Sequence, residues 1–415
     1  MGKQTIRDLD LAGKRVFIRV DFNVPIKNGT ITDDTRIRAS LATITYALAK
    51  VGQGTVILAS HLGRPKGKPD PQYSLKPVAD RLGHLLGKPV VFATDCVGEE
   101  ARSAIARAAG GVVLLENLRF RGEEEKNDPA FAARLAEMAD VYVNDAFGSA
   151  HRAHASTAGM VRLVPQAAAG LLMASEVEHL GLAMESPARP FVAVLGGAKV
   201  SGKLEVIESL LGKVDALLIG GAMAYTFFKA RGLAVGASLV EDELLDTARD
   251  IERRAQDRHL RFELPVDHVV TDRMEAGAAH QTLDVGDASI GGRLGVDIGP
   301  KTIARYRDAI AGARTVVWNG PMGVFEIDAF AAGTVAVARA LAECNGTTIV
   351  GGGDSIAAVT KAGVADKITH ISTGGGASLE FLGGLTLPGV AALPDKKTVK
   401  ERGTRNEERG MRNEE

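Results

Sequence analysis

Short apolar runs recur along this chain, each ending in a cluster of polar residues or glycines, with amphipathic stretches of helical period between them. Arg15–Val20, Thr55–Ser60, Val112–Leu115, Val141–Asn144, Phe191–Leu195, Ala216–Ile219, Thr315–Trp318 and Thr347–Val350 read as strands. Helical patterns are predicted over Asp34–Lys50, Leu75–Leu86, Pro129–Ala139, Leu204–Leu211, Asp328–Ala342 and Asp354–Lys361. A strand that is apolar throughout must be covered on both faces, so the alternation predicts an α/β protein with parallel sheets between helical layers. Ligands of such sheets collect beyond the carboxyl ends of the strands, which is where the polar motifs of this chain fall.

The 415 residues suffice for two or three separate cores. A formal net charge of −1 provides no global field for nucleic acid or an acidic membrane, so any anion site must be local. Two cysteines far apart, Cys96 and Cys344, argue against a disulfide framework or a cysteine-rich zinc site. The first residues lack the apolar stretch of a signal peptide, and the longest nearly apolar segment, 216–228, is too short to span a bilayer. A reducing cytoplasm is the expected compartment.

The chemistry of the strand ends changes along the chain. The first part carries RVDFNVP (19–25), SHLGRP (60–65), LENLRF (115–120) and NDAFGSAHRAH (144–154). The later part carries LGGAKV (195–200), IGGAMAYTF (219–227), WNGPMGVFE (318–326), VGGGDS (350–355) and STGGGAS (372–378). Arginine forks bind phosphate and carboxylate bidentately, and glycine turns let backbone N–H groups approach a polyphosphate. Asp21, Asn23, Arg36, His61, Arg64, Arg119 and Arg152 therefore read as the site of a small phosphorylated acid, and the glycine turns as a nucleotide site. Together they outline transfer of phosphate between the two.

Three other readings compete. HRAH (151–154) has two histidines three apart but no supporting cysteine and no helical pattern, so zinc is not expected. Residues 197–204 nearly spell a P-loop, but Leu204 stands where a hydroxyl is required; Lys199 and Lys203 remain phosphate-facing candidates, on one face if the segment is helical. The turn 351–354 lacks the third glycine of a dinucleotide fingerprint, which argues against an NAD-linked dehydrogenase. Asp354 or Ser355 there either caps a helix or serves the ligand, with Asp354 as the magnesium ligand. In 318–326, Pro321, Gly323 and Val324 suggest a purine slot and Glu326 a ribose partner, while Trp318 alone reads as core.

Taken in order, these motifs resemble the phosphoglycerate kinase family from about Ile6 to Pro394. The resemblance implies two Rossmann-like three-layer domains with parallel sheets facing across a cleft and joined by a hinge helix. It implies a phosphoglycerate-binding domain at 1–170, a connecting helix and hinge at 171–190, a nucleotide-binding domain at 191–382 and a segment at 383–400 returning to the first domain. The repeat RGTRNEE/RGMRNEE at 401–415 is expected to be disordered. The implied reaction is reversible transfer between 1,3-bisphosphoglycerate with ADP and 3-phosphoglycerate with Mg-ATP, by a monomer, directly and in line after domain closure.

Carried onto this sequence, the acid site comprises Asp21, Phe22, Asn23, Arg36, His61, Leu62, Gly63, Arg64, Arg119 and Arg152. The nucleotide site comprises Gly197, Lys199, Lys203, Gly220, Gly295, Asn319, Pro321, Val324, Glu326, Gly352, Gly353, Asp354 and Ser355. Arg36, Lys199, Gly352 and Gly375 are the expected catalytic groups, clamping the transferring phosphoryl oxygens. The sequence departs from the family's usual residues at Gly202, Ala222, Gly383 and Leu385, none of which is assigned to chemistry. A catalytically dead binding scaffold is the remaining alternative, and the presence of every assigned charged group disfavours it.

Overall fold

The computed structural model describes residues 2–396; the repeat at 401–415 lies outside them. The chain divides into two units. One runs to Glu178 and resumes at Thr386, and the other runs from His179 to Leu385.

The first unit contains β1 (Arg15–Arg19), β2 (Ile26–Lys27), β3 (Thr30–Ile31), β4 (Thr55–Ala59), β5 (Val90–Phe92), β6 (Val112–Leu114), β7 (Val141–Asn144) and β8 (Gln166–Ala169). Six of these form a parallel sheet in the order β5-β6-β4-β1-β7-β8, while β2 and β3 make a separate antiparallel ribbon. The central strands are apolar on both faces: Val16, Phe17 and Ile18 of β1 and Val56, Ile57 and Leu58 of β4 are fully buried. The helix Thr35–Val51 turns Ile37, Ile44, Ala47 and Val51 inward, a spacing near whole helical turns. These side chains share one core with Val16, Ile18 and Leu58.

The last described residues complete this unit. The Gly389 N–H donates to the Ala150 carbonyl at 2.8 Å, the Gln4 N–H to the Pro394 carbonyl at 3.0 Å, and Lys3 pairs with Asp395 at 2.8 Å. At the carboxyl end of β7, the fully buried Asp145 accepts N–H groups of Leu172 and Met173 at 3.0 and 3.3 Å. It thereby caps the helix Leu171–Glu185, within which the two units divide.

The second unit contains β9 (Phe191–Leu195), β10 (Ala216–Ile219), β11 (Arg261–Glu263), β12 (Asp267–Thr271), β13 (His280–Asp284), β14 (Leu294–Ile298), β15 (Thr315–Asn319), β16 (Thr347–Gly351) and β17 (His370–Ser372). Its parallel sheet has the order β11-β10-β9-β15-β16-β17, and β13-β12-β14 form an antiparallel sheet beside it in the chain. Trp318 is fully buried in the core of this unit, as its sequence context predicts. The helix Pro300–Ala311 is capped from outside its own segment: both carboxylate oxygens of Asp267 accept N–H groups of Lys301 and Thr302, at 2.9 and 2.8 Å.

Candidate active site

Beyond the carboxyl ends of β1 and β4, the first unit gathers most of the predicted acid-binding residues. The Arg36 guanidinium donates to Asp21 Oδ2 at 2.6 Å, and Asp21 Oδ1 lies 3.9 Å from His61 Nδ1. Asn23 Oδ1 accepts the Gly63 N–H at 2.9 Å, and Arg119 donates to the Gly63 carbonyl at 2.9 Å, so the SHLGRP turn is held from both sides. Glu125 stands 3.2 Å from Arg119 Nε, near enough for an ion pair but not aligned for a hydrogen bond. Arg152 donates from Nε to His151 Nε2 at 3.1 Å. Arg64 is exposed and makes no ion pair among the described residues. Phe22 and Leu62 are buried; they position the backbone, with the Phe22 N–H bonded to Ser60 Oγ and the Leu62 N–H to Asn117 Oδ1.

The electrostatics of this cluster are strongly cationic. Burial first, and then Arg19, Arg119 and Arg36, hold His61 well below its ordinary pKa. Burial, followed by Arg119, Arg19 and Arg152, depresses His154 to about 3. Burial also lowers Arg119, with Arg19 and Arg152 acting in the same direction. Groups that repel one another in this way form a preorganised anion site, because a bound phosphate or carboxylate relieves the repulsion.

In the second unit one cavity, about 270 Å3 and open to solvent, is lined by Gly197, Gly295, Pro321, Val324, Glu326 and Asp354 among others. Its glycines serve packing. Gly221 has φ +68°, and a β-carbon there would stand 2.6 Å from the Gly197 backbone, so the turns after β9 and β10 meet main chain to main chain. Gly220 likewise faces Met322 of the same cavity wall.

Next to the cavity, Lys203 donates to Asn319 Oδ1, and Asn319 Nδ2 donates to the Gly351 carbonyl at 2.9 Å. Burial pushes the Lys203 ammonium down to about 8, with Asp354 opposing the shift. Ser355 Oγ accepts the Gly320 N–H at 2.6 Å. No side-chain cap closes the helix Gly353–Lys361, whose N-cap is Gly352, so neither Asp354 nor Ser355 is used as one. Lys199 and Lys203 do not share a helical face. The chain forms a 3-10 turn over Ser201–Lys203, and Lys199 precedes it, exposed. Gly375 is the N-cap of the short helix Gly376–Leu382, beside the Ser372–Ser378 hydroxyl contact at 2.5 Å.

The family model for phosphoglycerate kinase matches residues 6–385. The chain belongs to the phosphoglycerate kinase family. It is 60% identical over 398 residues to the phosphoglycerate kinase of Solibacter usitatus, which covers 95% of this chain and all of that protein. Identity to the enzyme of Acidobacterium capsulatum is 58% over 406 residues, again covering 95% of this chain and all of the relative. Among solved structures, phosphoglycerate kinase from Coxiella burnetii superposes with a TM-score of 0.84 at 44% identity, covering 94% of this chain and 98% of that one. The Pyrococcus horikoshii enzyme gives 0.82 at 37% identity with the same coverage.

Several residues around the two candidate sites carry no role in the reading of the motifs. Arg19, Glu124 and Ser156 are fully buried behind His61. Tyr225, His268 and Asp297 line the cavity of the second unit, with Tyr225 Oη 2.6 Å from His268 Nδ1. Burial pushes the Asp297 carboxyl up to about 7, although it accepts the Gly333 N–H at 2.7 Å. Arg19 ends β1 and opens the motif RVDFNVP, and Asp297 is a charged residue inside the otherwise apolar β14; these are the available signals. Of the positions departing from the family's usual residues, Ala222 lines the cavity, Gly202 faces open space and Leu385 is exposed.

Proposed function

We propose that this phosphoglycerate kinase binds 3-phosphoglycerate on the first unit and ATP on the second, and moves the phosphoryl group directly between them once the two are brought together. The observation that carries the proposal is the segregation of chemistry. A preorganised cationic cluster around His61 lies in one unit, and a glycine-lined cavity with Lys203 and Asp354 at its edge lies in the other.

On the acid side, Arg64, Arg119 and Arg152 neutralise the substrate phosphate, while Asp21, Asn23 and His61 address its hydroxyl and carboxylate. On the nucleotide side, the purine packs against Gly295, Pro321 and Val324, and Glu326 accepts from the ribose hydroxyls. Lys203, Asn319 and the N–H groups at Gly352–Ser355 hold the phosphates. Arg36 and Lys199, with the amides of Gly352 and Gly375, stabilise charge on the equatorial oxygens of the transferring group as the acyl-phosphate bond breaks and the bond to ADP forms. The transfer needs no general base and no covalent enzyme intermediate. Closure excludes water that would otherwise hydrolyse the acyl phosphate.

No cluster of three or more His, Cys, Asp or Glu side chains suited to a metal occurs among the described residues. Mg²⁺ is commonly held by one or two carboxylates plus substrate phosphates, so it would enter with the nucleotide. Asp354, exposed at the cavity edge, is the carboxylate available to it. When bound, Mg²⁺ would neutralise phosphate charge. Free thiols at Cys96 and Cys344 support a cytoplasmic setting, and we take the working form to be a monomer.

ATP consumption that depends on both 3-phosphoglycerate and Mg²⁺ tests the reaction. Consumption independent of the acid, or none in folded protein, would favour the binding-scaffold alternative.

A further inference from the structure

Arg19, at the end of β1, is wholly buried and uses all three guanidinium nitrogens. Nε donates to Ser156 Oγ at 2.8 Å, Nη1 donates to the Val20 carbonyl, and Nη2 lies 3.2 Å from His61 Nδ1. A guanidinium has donors only. The last contact is therefore a hydrogen bond only if His61 Nδ1 presents its lone pair, which leaves the ring proton on Nε2.

The charge of Arg19 is balanced one hydroxyl away. Ser156 Oγ donates to Glu124 Oε1 at 2.6 Å, and the Ser156 N–H donates to Glu124 Oε2 at 3.0 Å. Glu124 is itself fully buried, and Tyr142 fixes the serine by donating to its carbonyl at 2.8 Å. A buried cation is tolerated when a buried anion and a full set of hydrogen bonds accompany it. His61 Nε2 makes no hydrogen bond among the described residues and remains available.

We propose that Arg19 is a positioning residue: anchored through Ser156 to Glu124, it locks the His61 ring in the neutral form protonated on Nε2, a fixed hydrogen-bond donor to the acid substrate. The proposal rests on the reading of His61 as a ligand of that substrate. The other groups facing the ring reinforce the lock. Arg36 from the helix Thr35–Val51, Arg119 from the turn Leu118–Phe120, and His154 all oppose a second proton; the carboxylate facing the ring is Asp21, whose Oδ2 is held by Arg36 and whose unpartnered Oδ1, 3.9 Å from Nδ1, lies beyond hydrogen-bond reach of the ring. A second proton would also set an N–H of His61 against an N–H of Arg19. Substrate can then be bound without histidine changing its charge in the range where a free imidazole titrates.

The test is nitrogen NMR of the full chain carrying 15N-labelled histidine, with His61 assigned by the signal lost in His61→Gln. Substrate-free protein should show a bare Nδ1 and a protonated Nε2, with no titration from pH 5.5 to 8. A proton on Nδ1, or titration in that range, overturns the lock. Addition of 3-phosphoglycerate should move the Nε2 signal; if it does not while turnover persists, His61 is no ligand and the lock has no role toward substrate. In Ser156→Ala, freed Arg19 should let His61 titrate. The variant-to-wild-type ratio of KM for 3-phosphoglycerate should then be about three- to tenfold at pH 8 and fall toward pH 5.5. Ser156→Thr, which keeps the hydroxyl, should restore a flat ratio. A ratio in Ser156→Ala that does not vary with pH means a merely structural role and overturns the proposal.

Discussion

Tyr225 stands directly against Gly295: a β-carbon on residue 295 would lie 1.5 Å from Tyr225 Oη and 2.0 Å from its Cζ. Both residues line the cavity of the second unit, the proposed nucleotide site. The tyrosine is anchored by its 2.6 Å contact with buried His268, so it has no free rotamer to retreat into. Overpacking of this kind costs about 1–3 kcal/mol. Gly295→Ala is accordingly expected to raise KM for ATP about tenfold or more while leaving KM for 3-phosphoglycerate unchanged. Tyr225→Phe should not rescue it, because the ring carbon still collides. Steady-state kinetics of the single and double variants decide this, and rescue by phenylalanine would refute the steric account.

Lys199 and Arg152 should separate cleanly in kinetics. If Lys199 contacts only the transferring group, Lys199→Ala lowers kcat by about 10²-fold or more with little change in KM for 3-phosphoglycerate. Arg152→Ala should instead weaken binding of that acid, as seen by titration calorimetry. Unchanged kcat in the first variant, or unchanged affinity in the second, removes that residue from its role.

Lys203 carries a pH signature. Its folded pKa is about 8, below the ordinary lysine value because the side chain is buried. The ammonium is charged below that pH and loses its proton as pH rises through it. Nucleotide phosphates favour the charged form, so binding should take up protons near pH 8.5 and none at pH 6.5, with KM for ATP rising above pH 8. Calorimetry in buffers of different ionisation enthalpy measures the uptake. Equal uptake in Lys203→Met would assign it elsewhere.

Asp145 bears on stability in the opposite sense to a surface carboxylate. Burial raises its pKa to about 7, against an unfolded value near 4. A raised folded value means its contribution is fully present below pH 4 and is lost as pH rises through 7. Asp145→Asn keeps an oxygen to accept the Leu172 and Met173 N–H groups and places its NH2 where Oδ2 has no partner. The Tm of the variant minus that of wild type should therefore climb between pH 5 and 8, measured by thermal unfolding. A difference independent of pH would exclude ionisation of Asp145 as the cause.

Much of the parallel architecture was legible because β1, β4, β6, β7, β9, β10, β15 and β16 are continuous apolar runs whose burial leaves no other reading. Strands β5, β11 and β17 were not, being only three residues each at or near a sheet edge, where little apolar length is required. The antiparallel sheet was hidden for a different reason. Its strand β13 is mostly exposed and polar, so it carries no hydrophobic signal at all. Among the site residues, Asp21, Arg36 and His61 sit in motifs at strand ends or a helix start, and patterning finds them. Ser156 matters through its contact with Arg19, 137 positions away in the chain, and Glu124 through its contact with Ser156, 32 positions away. No local pattern encodes such a pairing.

The seating of Gly389 on Ala150 and of Pro394 on Gln4 has a consequence for how the chain is made. Residues 179–385 form a contiguous unit, and domains generally fold as units during synthesis. The half that is synthesised first must wait for the residues after Leu385 before its last backbone partners exist. The half that begins second can be completed without the half that begins first, whereas the first half is sealed only once the residues after Leu385 have been made.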